Sequence, residues 1–259
     1  MSSEFGPPDG DIILRTQGVP THDFRVHKLV LSLASPVFRD MFGIPQPAPS
    51  IPRSDLEVVD VADPPQALDL VLRFIYPTPP PDVDSFALLV EGLVITDKYH
   101  IGGAQAELRL RLTKFVKDDP LRAYAIASRF GFEEEAEAAS SLTTGIFLPG
   151  LTELPDDLKN IPAVAYHKLV RIHEAHREVV EDAVDGVLFE PVCLECKVGK
   201  ALAEPRMRTK LVRMICRGER MSVDECIREL GIACRGTCMT RFVEGVVVGL
   251  GSKSTVIGH

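Results

Sequence analysis

Tryptophan is absent, and aromatic residues make up only 6% of the 259 positions. A surface that holds nucleic acid by stacking bases needs aromatic rings among its cations. The one strongly basic stretch, Lys197 to Arg241, has 11 Lys and Arg against 5 Asp and Glu, and Phe242 is the nearest aromatic to it. In a chain of net charge −8, that stretch reads as a solvated basic face that meets the acidic body of the same protein or an acidic partner, with nucleic-acid binding the lesser reading. Cysteine is also scarce. Six in a chain of this length are too few for a disulfide scaffold, so they are reduced thiols or metal ligands. The opening "MSSEFGPPDG" has neither a basic region nor an apolar run. No secretory signal is expected there, and no apolar run approaches the length of a membrane span. The expected setting is intracellular, with nucleus and cytoplasm both open.

Catalytic signatures are missing as well. No Gly-x-Ser-x-Gly elbow and no phosphate-cradling glycine loop occurs. "HEAHR", His173 to Arg177, is one residue short of the metalloprotease pattern, so its imidazoles lie three apart, and it reads as a solvated helix face. "PVCLEC" lacks the His-x-Glu that a zinc deaminase needs. It also lacks the strand-to-helix context of a redox Cys-x-x-Cys. The chain reads as a non-catalytic protein.

What is present begins with "HDFRVHKLVLSLASPVFRDMF", His22 to Phe42. As one helix it would carry Pro36 in its interior, at a cost of about 3 kcal/mol. As two helices, Ser35 caps the second and Pro36 takes its first position, where no N–H is needed. Leu29, Val30, Leu33 and Ala34 are then expected to form one core-facing stripe, and Val37, Phe38, Met41 and Phe42 the other. Before them, "DIILRT" and "DFRV" flank the turn signal "QGVPTH" and predict a β-hairpin.

Further on, Asp119-Pro120 is a capping residue followed by a first-turn proline, and "LRAYAIASRFGF" carries a helical pattern that ends near Gly131. "EEEAEAASSL" predicts another helix. A Gly- and Pro-rich loop then leads to a long helical pattern from about Ala163 to Val184. Beyond Gly186, Ser222 and Glu225 form a capping box, Met221 can staple onto Cys226, and Gly231 is placed to end that helix. Cys193 with Cys196, and Cys234 with Cys238, are two pairs whose thiolates could share one tetrahedral zinc ion. The competing reading is four partly buried reduced thiols and no cofactor. Cys216 and Cys226 have no paired spacing and are expected in a core.

His27-Lys28-Leu29-Val30-Leu31 followed by Ala34-Ser35-Pro36-Val37-Phe38 resembles the BTB/POZ signature, and "LEVVDVAD", "QALDLVLRFIYPTPPP" and "ITDKYHI" continue the likeness in order. The pair of helices after Asp119 is similar to the BACK-like extension that follows many such domains. "IYPTPPP", "DPLRAYAIA" and "AYHKLVRIHEAH" resemble the basidiomycete subgroup to about residue 185. The resemblance implies an α+β BTB/POZ fold, a small three-stranded sheet with helical hairpins, over residues 1–117. It further implies a helical extension over 118–185 and a basic, Cys-containing segment over 186–259.

It also implies a function in protein–protein association, through self-pairing or pairing with another BTB protein. Asp11, His27, Lys28, Leu29, Phe38 and Met41 would carry the contact, with Asp11 and Lys28 either forming a charged pocket at the dimer or a plain ion pair within one chain. A swapped N-terminal helix is not expected, since only about ten residues, Pro7, Pro8 and Gly10 among them, precede "DIILRT". Two alternatives stand beside association. One is a substrate adaptor on a cullin scaffold, weakened because "GIPQPAPSIPRSD" lacks the hydrophobic-x-Glu motif of many cullin binders. The other is a nuclear regulator that uses the basic tail.

Overall fold

The computed structural model describes residues 9–17, 20–44, 56–79, 81–146, 148, 151, 153–188 and 205–216. It divides into two compact units, Met1–Asp118 and Asp119–His259.

In the first unit, strands β1 (Ile12–Thr16) and β2 (Asp23–Val26) form the expected antiparallel hairpin, with Ile12 opposite Val26 and Leu14 opposite Phe24. Alternation sends Ile12, Leu14, Phe24 and Val26 into the core. Strand β3 (Glu57–Val61) lies parallel to β1 on its other side, so the sheet order is β2-β1-β3. Gly10 precedes β1 where backbones nearly touch. A Cβ there would lie 2.8 Å from the Val26 carbonyl oxygen and 2.9 Å from its nitrogen.

Helices α1 (Lys28–Ala34) and α2 (Pro36–Gly43) break where the sequence indicates. Ser35 Oγ accepts the Phe38 N–H at 3.1 Å, and Pro36 occupies the first helical position of α2. The stripe expected on α2 packs as read: Phe38 is buried, and Val37, Met41 and Phe42 lie against the core. The stripe expected on α1 is corrected. Leu31 is the residue α1 buries, while Leu29 and Leu33 point to solvent, 69% and 80% exposed. Five of the seven residues of α1 are apolar, so their pattern does not single out a face, and the Ser35 turn decides which one meets the sheet.

Helix α3 (Pro65–Ile75) buries Ala67, Leu68, Val71 and Leu72 against that core. Helices α4 (Phe86–Lys98) and α5 (Gly102–Leu112) pack beside it through Leu89, Leu93, Leu108 and Leu112. Gly92 permits this close approach, since a Cβ on it would stand 3.0 Å from Leu108 Cδ1 and 3.3 Å from Leu70 Cδ2. At the end of α4 the chain turns through His100, left-handed at φ 54°, and the Ile101 N–H returns to the Thr96 carbonyl at 2.8 Å.

In the second unit, Asp119 caps α6 (Pro120–Phe130) by accepting the Arg122 N–H at 3.2 Å, and Gly131 ends it at φ 73°. Helix α7 (Glu133–Thr143) opens with three glutamates, which suit the positive end of its dipole. A 3-10 turn, Asp156–Asn160, is tied to α6 by the Arg122–Asp157 ion pair at 2.5 Å. The Tyr124 hydroxyl donates to the Ala165 carbonyl at 2.6 Å and fixes the start of α8 (Ala163–Leu188).

Helix α9 (Pro205–Cys216) runs back along α8. Arg208 pairs with Asp185 at 2.7 Å, and Leu211, Val212, Met214 and Cys216 are buried. Cys216 is thus the core thiol its unpaired spacing suggests, and burial pushes its pKa up. Cys193, Cys196, Cys226, Cys234 and Cys238, with the capping box at Ser222, lie outside the described residues. Among the described residues, no helix is long and apolar enough to cross a membrane.

Candidate interaction surface

The interaction residues read from the sequence separate into supports and surface. Phe38 is 1% exposed. It stacks on Tyr99 with ring centroids 4.5 Å apart and serves the core instead of a partner, which corrects its expected place on the contact. Met41 is half-buried against the same core. Leu29 alone of the expected apolar contacts is open to solvent, and Leu33, one turn further along α1, joins it. Ile44, just past α2, is also exposed.

Asp11, His27 and Lys28 meet at the start of α1, but not as a charged pair. Asp11 Oδ1 accepts the backbone N–H of Lys28 at 2.8 Å. It thereby satisfies a donor that His27, whose side chain makes no cap bond, leaves open. The Lys28 ammonium reaches across to Glu57 of β3 at 2.5 Å. Of the two expected roles of Asp11 and Lys28, the plain ion pair within one chain is replaced by a helix cap and a β3 ion pair. Both Lys28 and Glu57 are more than a third exposed, and such a pair contributes about 0 to 1 kcal/mol.

His27 is anchored from the other side. Its N–H donates to the Tyr76 hydroxyl at 2.8 Å, and that hydroxyl lies 3.2 Å from His27 Nδ1. On the other side of the ring, Nε2 lies 3.4 Å from the Asp9 carboxylate. Burial raises the Tyr76 pKa, against the His27 N–H bond that lowers it. These polar groups position the start of α1; Leu29 and Leu33 are what the helix offers outward.

Beneath the surface lies a cluster that sequence reasoning did not single out. Asp63 is 6% exposed, yet it accepts from the Tyr99 hydroxyl at 2.6 Å and from the Lys98 ammonium at 2.9 and 3.0 Å. Burial of the hydroxyl beside this carboxylate pushes the Tyr99 pKa up to about 12. The Ser35 hydroxyl donates to the Tyr99 carbonyl at 2.5 Å. The exit of β3, the end of α4 and the turn between α1 and α2 are thus joined through one tyrosine. Residues 36 positions apart carry this contact, so no local spacing reveals it.

In the second unit, His173 and His176 are half-buried and line a cavity together with residues of α9, so "HEAHR" is not the solvated face its spacing suggested. Among the described residues, no group of three His, Cys, Asp or Glu side chains is placed to hold a metal ion.

No curated protein matches the chain. Residues 9–109 match the family model of the BTB/POZ domain. That span covers the three-stranded sheet and runs into α5. This part of the chain is a BTB/POZ domain, a kind of protein–protein interaction module that is generally non-catalytic.

Proposed function

We propose that the chain associates through α1 of its BTB/POZ domain, with a second copy of itself or with a related domain. The observation that carries this reading is the pair Leu29 and Leu33. They lie one turn apart and are 69% and 80% exposed on a helix whose opposite side is anchored by Leu31. Large apolar side chains adjacent on one exposed face are removed from water by a partner of like character. The Lys28–Glu57 pair and Asp11 at the same edge supply a polar rim. The helices after Asp119 are read as a BACK-like extension.

Adaptor function on a cullin scaffold is the less favoured reading, because the stretch after α2 carries no hydrophobic-x-Glu motif.

Light scattering on the full chain tests the association. The wild type is expected to dimerise at micromolar concentration, and Leu29→Asp/Leu33→Asp to be monomeric with an unchanged circular dichroism spectrum and melt. A wild type that stays monomeric at high micromolar concentration overturns the proposal.

A further inference from the structure

The second unit contains a cavity of about 810 Å³, inside the size range of small-molecule sites. Its long wall is one face of α8, from Tyr166 through Val170, His173 and Arg177 to Glu181, at the three- and four-residue spacing of a single helical stripe. At about 1.5 Å per residue this wall is roughly 22 Å long. Leu148, Leu151, Leu154 and Leu158 line the cavity as well. Leu151, Leu154 and Tyr166 are exposed there, apolar surface that an occupant would take out of water. A partner helix, about 10–12 Å across with its side chains, would need roughly 1,700 Å³ over the same length. That is about twice the volume available, so the cavity suits a slimmer occupant.

The polar lining carries no spare charge. Glu174, Arg177, Glu181 and Arg213 contribute two charges of each sign. Glu181 is 3.8 Å from Arg177, Glu174 is 3.2 Å from Arg171, and Arg213 is engaged as well. Burial lowers the pKa of both His173 and His176 and keeps them neutral at pH 7. The lining hydroxyls of the threonines have also spent their protons. Thr144 donates to the Ser141 carbonyl at 3.0 Å, and Thr209 to the Pro205 carbonyl at 2.8 Å. Their oxygens can still accept, and each neutral imidazole has one acceptor nitrogen in either tautomer. The cavity therefore offers a long apolar wall and uncharged acceptors.

We infer that this cavity binds one uncharged long-chain alcohol, its hydrocarbon chain along the leucines and its hydroxyl proton donated to a threonine oxygen or an imidazole nitrogen. A charged amphiphile of either sign would bury its head among groups that are already paired. A small polar molecule would leave the leucines in water.

Equilibrium dialysis of the full chain with decan-1-ol, below its solubility limit, tests this. Saturable binding of one molecule per chain is expected, roughly tenfold tighter than decanoate or decyltrimethylammonium, each of which would bury a charge without a free counter-charge. 1-Methoxynonane has the same atoms and leaves water more readily, but it has no proton to give. It should bind roughly fivefold more weakly than the alcohol, the weight of one hydrogen bond. Val170→Trp, which fills the cavity, should abolish binding, with circular dichroism and melting as fold controls; Thr209→Trp, from the facing helix, replaces it if that variant unfolds. Absent saturable binding, as when another segment or partner fills the cavity, overturns the inference. Binding indifferent to both tryptophans places the probe elsewhere and also overturns it, as does affinity for the ether or for either charged probe equal to that for the alcohol.

Discussion

The Tyr99 hydroxyl donates at 2.6 Å to the Asp63 carboxylate, and the same tyrosine stacks on Phe38 at 4.5 Å. One ring therefore joins strand, helix end and helical hairpin. Tyr99→Phe keeps the stacking and removes only the hydroxyl, leaving a buried carboxylate with the Lys98 ammonium. A loss of about 1.5–3 kcal/mol is expected in denaturant melts, as for hydrogen bonds to charged groups. The same contact fixes an alkaline signature. The folded pKa of about 12 lies above the ordinary 10.0, so above pH 10 the unfolded chain loses its proton first. Stability then falls as pH rises from about 10 toward 12, and Tyr99→Phe should flatten that limb.

Ser35 has two duties. Its hydroxyl oxygen accepts the Phe38 N–H and its proton goes to the Tyr99 carbonyl. Ser35→Ala should cost about 2 kcal/mol, above a simple cap, because the carbonyl partner is left unsatisfied in the core. Pro36→Ala should cost under about 1 kcal/mol, since proline at the first helical position adds mainly rigidity. If melts reverse that order, the hairpin turn is not held by the serine.

Gly10→Ala should destabilise the first unit by about 1–3 kcal/mol. The added methyl would meet the backbone of Val26 under 3.0 Å away, and backbone cannot swing aside as a side-chain tip can. Thermal melts check it; a variant as stable as wild type would mean that the approach of β2 to residue 10 relaxes freely.

His173 and His176 set an acid limb. Burial lowers both, and for His173 the charge on His176 adds to it. Their folded values lie below the ordinary 6.5, so below that pH the unfolded chain binds more protons and stability drops as pH falls. The double variant His173→Gln/His176→Gln should lose less stability than wild type between pH 7.5 and pH 5, measured by urea melts. Parallel curves would mean the two imidazoles are solvated.

Local chemistry made much of this fold readable in the sequence. The Ser35-Pro36 break, the hairpin around "QGVPTH" and the Asp119-Pro120 start each depend on residues within a few positions of one another. The outward face of α1 was not readable, because "KLVLSLA" is apolar nearly all round. Nor was the role of Asp11, since its bond goes to a backbone N–H 17 residues away. The histidines of "HEAHR" were misread for a similar reason: whether a helix face is wet depends on what the 3-10 turn and α9 bring against it.

The sheet order has a consequence for the timing of folding. β1 lies in the middle, and its parallel partner β3 starts 41 residues after the end of β1. The hairpin with β2 can close early, because its loop is short. Pairing with β3 must wait until both helices and the linking chain have been made, and parallel pairing across such a separation is intrinsically slow. During synthesis, the edge of β1 that will receive β3 is open while α1 already shows two leucines to solvent. The interval between those two events is when this chain is most exposed to wrong partners.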